Sequence, residues 1–147
     1  MIRPGNDGFT LVEIVIVIVV LGIIASIAIA AIGDFIDESR IAATKSEMQE
    51  IKKAIVGDPQ IAAGGKHISR GFLGDCGFVP ERLQDLITRP DSVPAYNKFE
   101  QTGWNGPYVD SADGEYLTDA WGSAYMYDPV ARSLVSNGSP EAITVTF

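Results

Sequence analysis

Hydrophobic residues follow two regimes along this chain. From Ile14 to Ile32, nineteen residues pass without a charge, and only Gly22 and Ser26 interrupt the Ile/Val/Leu/Ala run. At about 1.5 Å per residue this stretch spans roughly 28 Å as a helix, close to the thickness of a hydrocarbon core. Beyond Gly33 the apolar positions thin out to a stripe. Ile41, Met48 and Ile55 recur every seventh residue with Ile51 between the last two, while Asp34, Glu38, Lys45, Glu47, Glu50, Lys52 and Lys53 populate the other face. Gly57-Asp58-Pro59 ends the pattern, because Pro59 disfavours helix at Asp58. One helix over 9–56 is predicted, apolar all round over 9–32 and amphipathic over 33–56, with Gly22 as its weakest point.

Residues 57–147 form a head of different texture. The stretch from Gly57 to Gly77 carries six glycines and Pro59 and reads as loop. Pro80 to Ile87 predicts a short helix with proline at its start and an apolar side at Leu83, Leu86 and Ile87. Thr88 to Asn105 again reads as loop. Strand character follows at Ala124–Tyr127, Ser133–Ser136 and Ala142–Phe147, with turns at Asp128-Pro129 and Asn137-Gly138. The expected fold class is α+β: a long N-terminal helix whose amphipathic half packs on a small C-terminal sheet of about three antiparallel strands.

Composition narrows the function. A net charge of −8 over 147 residues argues against nucleic-acid binding, which needs a basic face. Cys76 is the only cysteine, so no disulfide closes within the chain. His67 is the only histidine, beside Lys66 in the glycine-rich stretch, and neither it nor Cys76 has a partner at catalytic or zinc-ligand spacing. No catalytic constellation is present, and the chain is not expected to be an enzyme.

The apolar segment admits three readings. Ala28-Ile29-Ala30 offers a small-x-small cleavage pattern for a secretory signal, but the run exceeds the usual signal core. A plain uncleaved anchor explains the length and leaves Glu13 without a purpose. Arg3 before the segment, and Asp34, Asp37 and Glu38 after it, orient it with the N-terminus in the cytoplasm. The third reading starts from Glu13 itself, since a carboxylate at the edge of an apolar layer needs a partner.

Gly8-Phe9-Thr10-Leu11-Val12-Glu13 closely resembles the prepilin peptidase site of type IV pilins and type II secretion pseudopilins. The resemblance implies that residues 1–8 are a leader removed after Gly8 and that Phe9 becomes an N-methylated N-terminus. It also implies that Glu13 pairs with the Phe9 amine of a neighbouring subunit during assembly. Within one chain, the same carboxylate can instead face its own helix N-terminus.

A second resemblance lies in the head. Gly103-Trp104-Asn105-Gly106-Pro107-Tyr108, followed by Asp119-Ala120-Trp121-Gly122-Ser123-Ala124-Tyr125, is similar to the GW-x-GPY and D-x-WG-x-x-Y segments of the major type II secretion pseudopilin. That family commonly binds calcium in a C-terminal loop, and calcium takes about six to eight oxygen ligands. Asp110, Asp113, Glu115 and Asp119 are the carboxylates this chain offers, with Ser111 and backbone carbonyls to complete the shell. The loop before the last strand is shortened here to Asn137–Glu141, which removes ligands the family places there.

The implied function is a structural subunit, polymerised into a helical filament that drives protein export. The implied partners are copies of itself, minor pseudopilins, prepilin peptidase, an inner-membrane assembly platform and an outer-membrane secretin. The implied location is the bacterial inner membrane, with a single pass and a periplasmic head. A type IV pilin of a surface filament and a monomeric membrane-tethered binding domain are the alternatives.

Overall fold

A computed structural model describes residues 9–63, 66–67, 69–110 and 115–147, excluding the side chains of 27–31, 34, 62–63, 66–67 and 115. The chain divides into two compact units, one ending at Glu38 and the other running Ser39–Phe147. Helix α1 occupies Leu11–Val56 and runs through Gly22 unbroken.

In the first unit the described apolar side chains from Phe9 to Ile24 point outward on every face, none less than 44% exposed. Such a surface has no partner within its own unit. Among the described residues, no helix is long and apolar enough to cross a membrane. The uncharged run in the sequence extends through 27–31, whose side chains lie outside the description.

The second unit builds its own core. The α1 stripe contributes Met48, Ile51, Ala54 and Ile55, and these pack with Phe72, Leu83, Leu86, Tyr125, Leu134 and Val145. Ile41, expected on the same stripe, is only half-buried, while Thr44 is fully buried. The helix stops where expected. Gly57 adopts φ +89°, and a Cβ there would sit 2.5 Å from the Ser69 carbonyl oxygen. The residue following the helix therefore has to be glycine. Asp58 then accepts from the Gln60 N–H at 2.9 Å and pairs with Lys53 at 3.0 Å.

Three antiparallel strands, β3 (Met126–Asp128), β4 (Ser133–Ser136) and β5 (Ile143–Thr146), form a sheet in the order β3-β4-β5. Tyr127, Leu134 and Val145 align across it. Leu134, Ser136 and Val145 are buried, as period-two alternation on a half-covered sheet requires. The first expected strand begins two residues late, because Ala124 forms only an isolated bridge to Thr118.

Two stretches differ from expectation. The glycine-rich segment contains a two-residue antiparallel ribbon, β1 (Ala62–Ala63) with β2 (Lys66–His67), and a six-residue helix α2 (Gly71–Cys76). The helix expected from Pro80 shrinks to a 3-10 turn at Leu83–Leu86. Asp85 accepts the N–H groups of Glu81 and Arg82 at 3.1 and 3.0 Å there, which holds the approach extended. The segment 88–105 is pinned by bridges Ala95↔Trp104 and Asn97↔Thr102.

Candidate assembly site and the two head motifs

At the start of α1, Thr10 and Glu13 form a reciprocal cap. Glu13 Oε2 accepts from the Thr10 N–H at 2.9 Å and from its hydroxyl at 3.0 Å, while the Glu13 N–H donates to Thr10 Oγ1 at 3.2 Å. Thr-x-x-Glu is the capping-box pattern, so the residue that the charge argument singles out also has a local structural role, and that spacing is the signal for it. Of the expected processing and assembly residues, Phe9 lies exposed just before the helix and Glu13 lies in its first turn. Gly8 lies outside the described residues.

The GW-x-GPY segment is a structural staple. The Trp104 indole N–H donates to the Asp85 carbonyl at 2.9 Å, and the Tyr108 N–H donates to the Leu86 carbonyl at 2.8 Å. The Tyr108 hydroxyl donates to Asp75 at 3.2 Å and accepts from the Asn105 N–H at 2.9 Å. Burial pushes the Tyr108 phenol well above its ordinary range, so it stays a neutral donor. The rings of Trp104 and Phe72 meet Tyr108 edge-on, with centroids 6.0 and 5.7 Å away. Gly106 lies against the Trp104 ring, where a Cβ would come within 2.6 Å of the indole. The segment thus joins α2 to the 3-10 turn through its aromatic faces.

Asp119 organises the second motif. Its Oδ1 accepts from the N–H groups of Trp121 and Ser123 at 3.0 and 2.9 Å, closing the Asp119–Ser123 turn. Its Oδ2 accepts from the Ser136 hydroxyl at 2.6 Å and the Gly138 N–H at 3.0 Å, which ties down the turn between β4 and β5. Burial opposes ionisation of this carboxyl, but the bonds from Ser136, Ser123, Trp121 and Gly138 outweigh it and hold its pKa below the ordinary range. Gly138 packs so closely on the carboxylate that any Cβ would overlap it. Two further bonds anchor the motif to α1. The Ala120 N–H donates to the buried Thr44 hydroxyl at 3.2 Å, and the Tyr125 hydroxyl donates to Glu47 at 2.9 Å.

The four expected calcium ligands are not all described. Asp113 lies outside the described residues, and the Glu115 side chain is likewise undescribed. Asp110 is exposed. Asp119 does not fit a cation, because protein donors already occupy both of its oxygens. Among the described residues, no group of three or more His, Cys, Asp or Glu is placed to hold a metal ion. Cys76 is half-buried, and burial pushes its thiol above the ordinary range, away from nucleophilic thiolate.

A capped apolar helix and a two-layer head tied by buried aromatic and carboxylate bonds define a pilin-like structural subunit. The family model for the prokaryotic N-terminal methylation motif matches residues 3–29. The chain is 33% identical over 129 residues to the type II secretion system core protein G of Pseudomonas aeruginosa, covering 86% of this chain and 76% of that protein. It is 29% identical over 140 residues to core protein G of Xanthomonas campestris pv. campestris, covering 92% and 80%. It is 35% identical over 80 residues to the type IV major pilin protein PilA of Myxococcus xanthus, covering 54% of this chain and 34% of that protein. No solved structure matches. The chain belongs to the pseudopilin family of type II secretion core protein G.

Proposed function

We propose that this chain is a structural subunit of a type II secretion filament, cut after Gly8 by prepilin peptidase and methylated on Phe9. Its apolar helix anchors it in the inner membrane with the head in the periplasm until an assembly platform draws it into a filament. That filament grows with minor pseudopilins toward an outer-membrane secretin and pushes folded cargo outward. The observation that carries this reading is the first unit's uncovered apolar surface, which ends at a single capped carboxylate. Lipid satisfies that surface before assembly and neighbouring helices satisfy it afterwards. Both cap bonds fall on Glu13 Oε2, which leaves Oε1 for the Phe9 amine of a neighbour. Pairing the two charges removes the cost each bears alone in an apolar layer and fixes the axial register of helices that otherwise slide.

A type IV pilin role is favoured by the PilA match, but that match covers only 54% of the chain, whereas the core protein G matches cover 86% and 92% of it. Mass spectrometry of the purified N-terminus tests processing: the mature chain is expected to begin at methylated Phe9, and retention of Met1 defeats the reading. Glu13→Gln then separates charge from cap. Glutamine preserves the capping box, so the helix persists while filament yield is expected to collapse. Full assembly of Glu13→Gln reduces the residue to a cap and leaves a tethered monomeric domain as the better account.

A further inference from the structure

Phe99 is 99% exposed, yet its loop is firmly built. Asn97 bridges Thr102, its N–H reaching the Thr102 carbonyl at 2.8 Å, and its side-chain oxygen accepts from the Phe99 N–H at 2.9 Å. The Arg70 guanidinium donates to the Gln101 carbonyl at 2.8 Å, and Gln101 itself takes a left-handed φ of +53°. This bonding holds a phenylalanine ring out in water, a placement with no benefit to an isolated head. The flanking residues, Lys98 and Glu100, are exposed and of opposite sign.

The loop lies at the end of the head where α1 terminates, since Gln101 lines one groove with Val56, Gly57 and Asp58. At the opposite end of the same helical segment a second groove of about 540 Å³ opens between Ile41, Lys45 and the chain from Ser139 to Thr144. Ile41 precedes Val56 by fifteen residues, roughly 22 Å of helix. The groove's apolar floor is Ile41, Pro140, Ala142 and Ile143, and its charges are Lys45 and Glu141. Knob and socket therefore carry matching chemistry at opposite ends of one head.

We propose that the Lys98-Phe99-Glu100 loop of one subunit seats in the Ile41/Pro140–Ile143 groove of a second copy, with Lys98 facing Glu141 and Glu100 facing Lys45. A contact between different patches at opposite ends propagates rather than closing into a pair, and it makes the head a second source of axial register beside Glu13. The proposal rests on the filament reading and adds the surface through which the heads meet.

The test uses the full chain, expressed in membranes with the secretion apparatus and carrying Cys76→Ser to remove the native thiol, with Glu100→Cys and Lys45→Cys placed across the proposed contact so that the Phe99 knob is kept. Mild oxidation is expected to give a ladder of covalent multimers beyond the dimer, with each single variant giving nothing larger than a dimer, while electron microscopy scores filaments in the same sample. Filaments without the ladder overturn the contact and leave the filament reading intact. A product that stops at the dimer overturns it as well, and absence of both filaments and cross-links defeats both readings together. As an independent arm, Lys98→Glu and Glu141→Lys should each lower filament yield several-fold and the double reversal should restore it. Failure of the double variant to recover, with the single variants impaired, counts against the pairing.

Discussion

Asp119 shows how one residue type serves two opposite designs. A carboxylate with free oxygens attracts a cation. One whose oxygens already accept four donors is a clamp, and here it joins the Trp121–Ser123 turn to the connection that follows β4. A hydrogen bond to a charged group contributes about 1.5–3 kcal/mol. Asp119→Asn keeps the shape, loses the charge, and turns an amide N–H toward one of the donors. We expect it to cost about 2–3 kcal/mol and lower the head's Tm at neutral pH by on the order of 10 °C. The folded pKa is depressed, so the stabilisation is present above the ordinary carboxylate range and is lost as pH falls through the folded value. The gap between wild type and variant should accordingly narrow below about pH 4, measured by circular dichroism melts across a pH series. A chelator should leave the wild-type melt unmoved. A drop of several degrees on chelation would show that a metal, not this clamp, secures the C-terminal turn.

At the scale of elements, the amphipathic half of α1 is legible because it obeys a period. Met48, Ile51 and Ile55 follow the heptad stripe and are all buried. Ile51→Ala should therefore cost about 2–5 kcal/mol, while Glu50→Ala, one position away on the exposed face, should stay within about 0.5 kcal/mol; urea titrations of the two variants measure the contrast. Equal costs would mean that the helix does not pack by that stripe. Helix α2 was not legible, because its residues argue against helix. Gly71 takes φ +62° and Gly74 is interior. Tertiary bonds hold it instead, the Gly103 N–H donating to the Asp75 carbonyl at 2.9 Å and the Tyr108 hydroxyl to the Asp75 carboxylate at 3.2 Å, with a local bond beside them. The Arg70 guanidinium caps the Gly74 carbonyl at 2.5 Å, and the Arg70 stem passes so close to Gly74 that a Cβ would lie 2.7 Å from it. The Asp119 clamp was hidden for the same reason. Two of its donors, Ser136 and Gly138, lie seventeen and nineteen residues away, and no local pattern announces them. The head's strands were readable because alternation is a local property, whereas the expected Asn137-Gly138 turn gives way to a six-residue connection, 137–142, in which Gly138 does not take a positive φ.

For the whole molecule, the decisive asymmetry is between a unit that buries a core and a unit whose described apolar side chains are all exposed. Among the described residues, the buried core cluster lies wholly within Ser39–Phe147. Association strength therefore has to come from the first unit. One phenylalanine knob buries at most about 150–250 Å² of its own surface, far below the roughly 1,200 Å² of a stable interface. Heads held side by side by packed helices meet at an effective concentration in the millimolar range, where such a weak contact is populated. Freed heads do not reach it. A chain beginning at Ser39 is therefore expected to fold cooperatively and to sediment as a monomer at micromolar concentration. The Phe99→Ala change should leave that sedimentation unaltered, while in the full chain it should lower filament yield. If the chain beginning at Ser39 sediments as an oligomer, the head surface outweighs the apolar helix, and assembly has to be explained from the head alone.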